Sequence, residues 1–295
     1  MLRAKPRQIL QVATMVRRSM GSEKIMLRPL AAALALLTAA LMTPSAPALA
    51  AAVAATPQMS RQESRDHDLF VQANTDFQQR GYPALARRLP ALRQALDRMP
   101  ADYGQLVEQA GQHVVRVSDP GDVLMMMVGL SAAAGKDGSG ATGATALPNV
   151  YGDIALMLAS EAVEARRYEE GISYLDRVLK VQPKNWLLLV EKAAALQGLR
   201  RWNDALVLAD AALADDDMLM LLHRGPFHRR RGFSLIELGR LDEAKAAYEA
   251  ALQIDPDDAN AKRELEYIAE LKGGASPTAP QVVSPLSPTP APPVR

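Results

Sequence analysis

Gly239-Arg240-Leu241-Asp242-Glu243-Ala244, running on through Tyr248 and Ala251-Leu252 to Pro256, is the stretch on which the reading of this sequence turns. An apolar residue, Leu241, is followed three positions on by a small one, Ala244; a core residue comes four later, then an apolar pair, then a proline. The same order occurs twice upstream. Arg166-Arg167-Tyr168-Glu169-Glu170-Gly171 leads into Leu175, Val178-Leu179 and Pro183, and Arg200-Arg201-Trp202-Asn203-Asp204-Ala205 leads into Ala209 and Ala212-Leu213. Tyr168 and Trp202 are 34 residues apart, and Trp202 and Leu241 are 39 apart, which places a five-residue insertion within Asp215–Arg224. A fixed period of this length signals stacked supersecondary units. Pro256 ends a helix because it has no amide to donate.

These segments resemble the tetratricopeptide repeat, and in the last copy Gly232, Leu235, Gly239, Ala244, Tyr248, Ala251 and Pro256 fall on the family's signature positions. The resemblance implies an all-α fold, a right-handed superhelical solenoid of helical hairpins, with three repeats at 152–185, 186–219 and 225–258 inside the span 152–258. Small residues at Gly232 and Ala244 let the two helices of a hairpin approach, while Leu241 and Tyr248 fill the space between repeats. The copies are uneven: Gly171 stands where alanine is usual, and Asp217 where the closing proline would be. Residues 259–272 read as a capping helix, begun by Asp257-Asp258, with Ala261, Leu265, Ile268 and Leu271 on one face. Leaving Leu265 or Ile268 exposed would forfeit about 1.5–3 kcal/mol each.

Upstream, 66–134 reads as degenerate helical hairpins. In 66–99, Leu69, Ala73 and Phe77 precede a turn at Gly81-Tyr82, then Leu85, Leu89, Leu92 and Leu96, with Pro90 kinking or restarting the second helix. In 104–137, Val107, Ala110-Gly111 and Val114 fit one helix and Val123, Met127 and Leu130 the next. Residues 51–65 and the glycine-rich 135–149 read as linkers, and the proline-rich tail 273–295 as a disordered spacer.

Of the 295 residues, 48% are hydrophobic but only 4% aromatic, a balance that suits helices. There is no cysteine, which excludes disulfides, thiolate metal sites and a cysteine nucleophile. Lys24 and Arg28 precede an apolar run, Leu30 to Met42, followed by Ala48-Leu49-Ala50. This is the layout of a secretory signal over residues 1–50, so the expectation is an exported protein, periplasmic or secreted. The run is too short for the ~20 residues that span a bilayer. Residues 1–50 hold seven Lys/Arg and one Glu, so their removal leaves 27 basic and 32 acidic residues and moves the net charge from +1 to −5. That balance argues against a nucleic-acid binder.

No catalytic constellation emerges. Gly129 to Lys136 has five residues between its glycines and Asp137 after the lysine, which fails the phosphate-loop pattern. His223 and His228 are five apart, off the spacing of a helical metal pair; His228 reads as a packing residue on its helix and His113 as structural in an apolar-patterned helix, with His67 the fourth histidine. Asp215-Asp216-Asp217 lacks the glycine turn and later glutamate of a calcium loop. No cofactor and no metal are expected.

The resemblance implies a concave surface lined by the first helix of each repeat. By position these residues are Leu156, Met157, Ser160 and Val163; then Val190, Glu191, Ala194 and Gln197; then Arg229, Arg230, Phe233 and Ile236. Ser160 and Ala194 stand where the family's clamp for C-terminal carboxylates has asparagine. With Arg224, His228 and Arg231 beside Arg229 and Arg230, the groove reads as apolar at one end and basic at the other. It suits a protein or peptide segment with apolar anchors and an acidic end. The competing reading has these arginines as a solvated face paired with Asp215–Asp217. The expectation is a noncatalytic interaction scaffold of the cell envelope, or else an accessory subunit of an envelope enzyme or of an export or assembly machine.

Overall fold

Ser60 starts the first helix. Its Oγ accepts a hydrogen bond from Glu63 N at 3.0 Å, satisfying one of the amides a helix start leaves unpaired. The computed structural model describes residues 57–109, 112–119, 121–126 and 144–280. Helix α1 spans Arg61–Arg80, so it begins inside the stretch expected to be linker. Gly81, at φ 70°, turns the chain into the short α2 (Tyr82–Leu85), and α3 (Leu89–Asp97) restarts with Pro90 in its first turn. The expected signal over 1–50, most of the glycine-rich linker and the tail from 281 onward lie outside the described residues.

The hairpin expected over 104–137 is corrected by the structure. Val107 lies in strand β1 (Leu106–Gln109) and Val114 in β2 (Gln112–Val117), while 121–126 is helical. A third strand, β3 (Ala144–Pro148), lies in the expected linker. The order is β1-β2-β3, with β1 antiparallel to β2 (Leu106 opposite Val115) and β3 parallel to it (Val115 opposite Ala146). Val114-Val115-Arg116-Val117 favours a strand because β-branched side chains keep more freedom on a pleated surface than against a helical turn.

Seven helices follow β3 up to residue 254. They are α4 (Val150–Glu164), α5 (Tyr168–Leu179), α6 (Trp186–Gly198), α7 (Trp202–Ala214), the short α8 (Met218–Leu222), α9 (Arg224–Glu237) and α10 (Leu241–Ile254). A final helix, α11 (Ala259–Lys272), packs on α10 and covers its apolar edge with Ala261, Tyr267 and Ile268. Helix α8 occupies the five-residue insertion.

The three hairpins α4–α5, α6–α7 and α9–α10 close by one device. Arg166, Arg200 and Gly239 are left-handed, at φ 60°, 57° and 73°. The next amide reaches back five residues each time: Arg167 N to Ala162 O, Arg201 N to Leu196 O and Arg240 N to Leu235 O, at 2.7, 2.9 and 2.9 Å. This is the Schellman closure of a helix end. The same arginine then pairs with an acid in the following helix: Arg167 with Glu170 (2.7 Å), Arg201 with Asp204 (2.6 Å) and Arg240 with Glu243 (2.7 Å). The sequence period is therefore a period of backbone geometry, and the fold from α4 to α10 is a helical-repeat solenoid.

Consecutive helices of the solenoid pack on one another, and the first helices of the hairpins also touch, α4 with α6 and α6 with α9. The N-terminal helices α1 and α3 pack against α4, joining Phe77, Leu92 and Leu96 to Ile154, Leu158, Leu175 and Leu188 in one core. Polar contacts tie the sheet to this block. Buried Glu63 accepts from Tyr103 Oη at 3.0 Å and lies 3.7 Å from Arg116 Nε on β2. Buried Asp66 takes Arg98 Nη2 at 2.5 Å and Tyr151 Oη at 3.2 Å.

Candidate functional site

The row of side chains along α4, α6 and α9 is where a groove is expected from the sequence, and its twelve residues are not equally available. On α4, Leu156, Met157, Ser160 and Val163 are all buried, and Leu156 and Met157 belong to the core shared with α1 and α3. On α6, Val190, Glu191, Ala194 and Gln197 are buried as well. On α9, Ile236 is buried, whereas Arg229, Arg230 and Phe233 are partly exposed. The expectation of a groove apolar at one end and basic at the other is therefore corrected. The apolar end is closed by the chain's own N-terminal hairpin, and the accessible part is on α9.

The arginines of α9 are engaged by the chain itself. Arg229 Nη1 donates to Asp258 Oδ2 at 2.6 Å, and Asp258, buried, also caps α11 by accepting from Asn260 N and Ala261 N at 3.0 Å. Arg231 pairs with Asp210 at 2.7 Å, and Arg224 Nη2 donates to Leu213 O at 3.2 Å. Arg230 and Gln197 are knitted together. Gln197 Nε2 donates to Arg230 O at 2.8 Å and to Ser234 Oγ at 2.9 Å, and Arg230 Nη1 donates to Gln197 Oε1 at 3.3 Å. Burial brings the Arg230 guanidinium down to about 10, against the upward pull of Glu191. Asp215 and Asp217 do not serve these arginines. Asp215 pairs with Lys184 at 2.9 Å, and Asp217 caps α8 through Leu219 N at 2.9 Å.

Phe233 meets Trp202 edge-on, with ring centroids 6.0 Å apart, and both rings are partly exposed. Near this pair, burial raises the Glu237 carboxyl while Arg200 draws it down. At the opposite end of the row, Asp153 on α4 is pushed up to about 7 by burial, with a hydrogen bond from Ser118 opposing.

Sequence reasoning missed two clusters, because each joins residues far apart in the chain. Gln182 binds Asn149 in both directions (2.9 and 3.0 Å), Asn185 (2.9 Å) and Tyr103 O (3.1 Å), which locks the starts of α4 and α6 to the segment before β1. Asp122 meets Trp186 and His223.

The tetratricopeptide-repeat family model matches residues 226–258. One hairpin of the solenoid, α9–α10, thus matches that family. The chain is 29% identical over 111 residues to the small glutamine-rich tetratricopeptide repeat-containing protein 2 of Saccharomyces cerevisiae, covering 38% of this chain and 31% of that protein. It is also 29% identical over 113 residues to the Hsp70-Hsp90 organizing protein of Triticum aestivum, covering 38% and 19%. The chain thus spans less than a third of the length of these curated relatives. Among solved structures, the first tetratricopeptide domain of human RPAP3 is 23% identical, with a TM-score of 0.38 over 41% of this chain and 91% of that one. A MamA mutant is 16% identical, with a TM-score of 0.42 over 72% and 85%.

These matches overturn the exported, periplasmic or secreted location expected from residues 1–50. Relatives such as the Hsp70-Hsp90 organizing protein point against it. The cell-envelope setting falls with it. Among the described residues, no helix is long and apolar enough to cross a membrane. No group of three or more His, Asp or Glu among them could hold a metal ion.

Proposed function

We propose that this protein is a noncatalytic scaffold whose repeats hold a segment of a partner protein on the α9 face. Trp202 and Phe233 form the apolar anchor, and Arg229 and Arg230 border it. The observation that carries this reading is the exposure pattern of the row: α4 and α6 are closed, and Phe233 and its arginine neighbours remain open on α9. Kinship with the Hsp70-Hsp90 organizing protein supports a role in bringing proteins together. The partner is not read through the family's carboxylate clamp, because Ser160 and Ala194 replace its asparagines and both are fully buried.

Arg229 and Arg230 act mainly by shaping the surface, since both already have internal partners. Phe233 supplies contact area at its centre. Phe233→Asp places a charge on a half-exposed position, so the solenoid keeps its fold while the anchor is lost. Partner capture should fall by about tenfold or more, the usual weight of an aromatic hot spot. Undiminished capture by a folded Phe233→Asp protein would overturn the proposal.

A further inference from the structure

The turn that leaves β2 crosses the starts of all three first helices. Gly121 N donates to Asp119 Oδ1 at 2.8 Å and Asp122 N to Asp119 O at 3.0 Å, which closes the turn and aims Asp122 at the solenoid. Ser118 hydrogen-bonds Asp153 on α4. Asp122, only 5% exposed, lies between the first residue of α6 and the residue before α9. The Trp186 indole N–H donates to Asp122 Oδ2 at 3.0 Å, and His223 Nε2 sits 2.7 Å from Oδ1. The imidazole stacks on the indole, with centroids 3.7 Å apart and planes 13° from parallel.

Both oxygens of one carboxylate are thus held by a rigid pair of rings from successive repeats. The rest of Trp186 needs no carboxylate, since it packs with Val190, Ala212, Met220 and Phe227. No apolar residue of the crossing segment's helical stretch is fully buried. In the helical stretch 121–126, Asp122 alone is buried, and Leu124 is 68% exposed. The segment behaves as a ligand does: it lies across the repeats and is bound through polar side chains, Ser118 to α4 and Asp122 to Trp186 and His223.

We propose that the segment carrying Ser118 and Asp122 is a cis ligand of the solenoid, and that Trp186 and His223 form a carboxylate-reading site which an aspartate or glutamate of a partner segment occupies by displacing Asp122. The inference rests on the scaffold reading but uses a different pair of residues. A seated cis ligand weakens a competitor in proportion to its occupancy: held in about nine molecules of ten, it lowers apparent affinity about tenfold.

The test uses the full chain with Trp202→Phe, which leaves Trp186 as the sole indole of the original two. Two synthetic peptides are titrated, one copying residues 117–126 and one carrying asparagine at the position of Asp122. Trp186 emission is read on this chain and on the same chain with Asp122→Ala. The aspartate peptide should bind the Asp122→Ala chain about tenfold more tightly than its asparagine twin does, and about tenfold more tightly than it binds the chain with Asp122 in place. Adding His223→Ala should erase the preference between the peptides. Equal binding of the two peptides, or equal binding with and without Asp122, overturns the proposal. Should Asp122→Ala not fold, Asp122→Asn is judged by the same two comparisons. If the peptides fail while Phe233→Asp still abolishes partner capture, the cis-ligand inference falls and the scaffold reading stands.

Discussion

Replacing Gly232 by alanine puts a methyl group into the ring of Tyr248. The new Cβ would lie 2.5 Å from Cε2, 2.8 Å from Cδ2 and 2.9 Å from Cζ. Carbon atoms prefer about 3.5–4.0 Å, so the ring has to move by about 1 Å. It has nowhere to go: Tyr248 is 2% exposed and packed among Leu206, Leu235, Ala244 and Ala251. Overpacking of this kind costs about 1–3 kcal/mol, while alanine gains about 1 kcal/mol over glycine inside a helix. The net expectation is a loss of up to about 2 kcal/mol, or up to about 8 °C in Tm for a domain of this size. A double-mutant cycle with Tyr248→Leu, followed by chemical denaturation, isolates the contact. In the leucine background the clash is relieved, so Gly232→Ala should turn neutral or stabilising by up to ~1 kcal/mol. Additive effects, or a stabilising Gly232→Ala in the parent protein, would refute the reasoning that helix approach at this glycine sets the hairpin.

Other expectations follow from the same geometry. Arg166→Gly and Arg200→Gly should each stabilise the fold by about 0.5–1 kcal/mol, because they relieve a left-handed arginine at the position where the third repeat has Gly239, while Gly239→Ala should cost about 1 kcal/mol; urea midpoints will show both signs. Asp153 holds its proton up to about pH 7 in the folded chain but loses it near pH 4 when unfolded, so its contribution is full below about pH 4 and is lost as pH rises towards 7. Asp153→Asn should therefore raise Tm more at pH 8 than at pH 5, and an equal change at both would contradict the assignment. Asp258→Ala removes the cap of α11 and the partner of Arg229, and should cost about 2–4 kcal/mol in thermal unfolding.

The repeats were legible because their signal is local. Leu241, Ala244 and Tyr248 recur at helical spacing, and Gly239-Arg240 encodes a turn that closes within its own neighbourhood. Pro90 marked a kink or a restart in the second helix, and α3 has it in its first turn. The sheet was not legible in this way. Val107 and Val114 fit a helical pattern over a short window, and what makes β2 a strand is pairing on both sides, including β3, whose Thr145 lies opposite Val114. The row of α4, α6 and α9 could be named from the period, but its accessibility could not. Leu156 and Met157 are closed by Phe77 and Leu92, which lie far upstream in the sequence. The pairing of Asp122 with Trp186 and His223 spans 64 and 101 residues, and no local spacing announces it.

Site-specific photo-crosslinking in cells asks whether partners are taken on the α9 face. A photoreactive amino acid at Phe233 reports on the proposed anchor, and one at Val207, 68% exposed on α7, reports on a surface outside it. A discrete protein adduct is expected from position 233, lost in the Arg230→Glu background, and none from position 207. Adducts of equal yield from both positions, or none from 233 in a folded protein, would contradict binding on the α9 face.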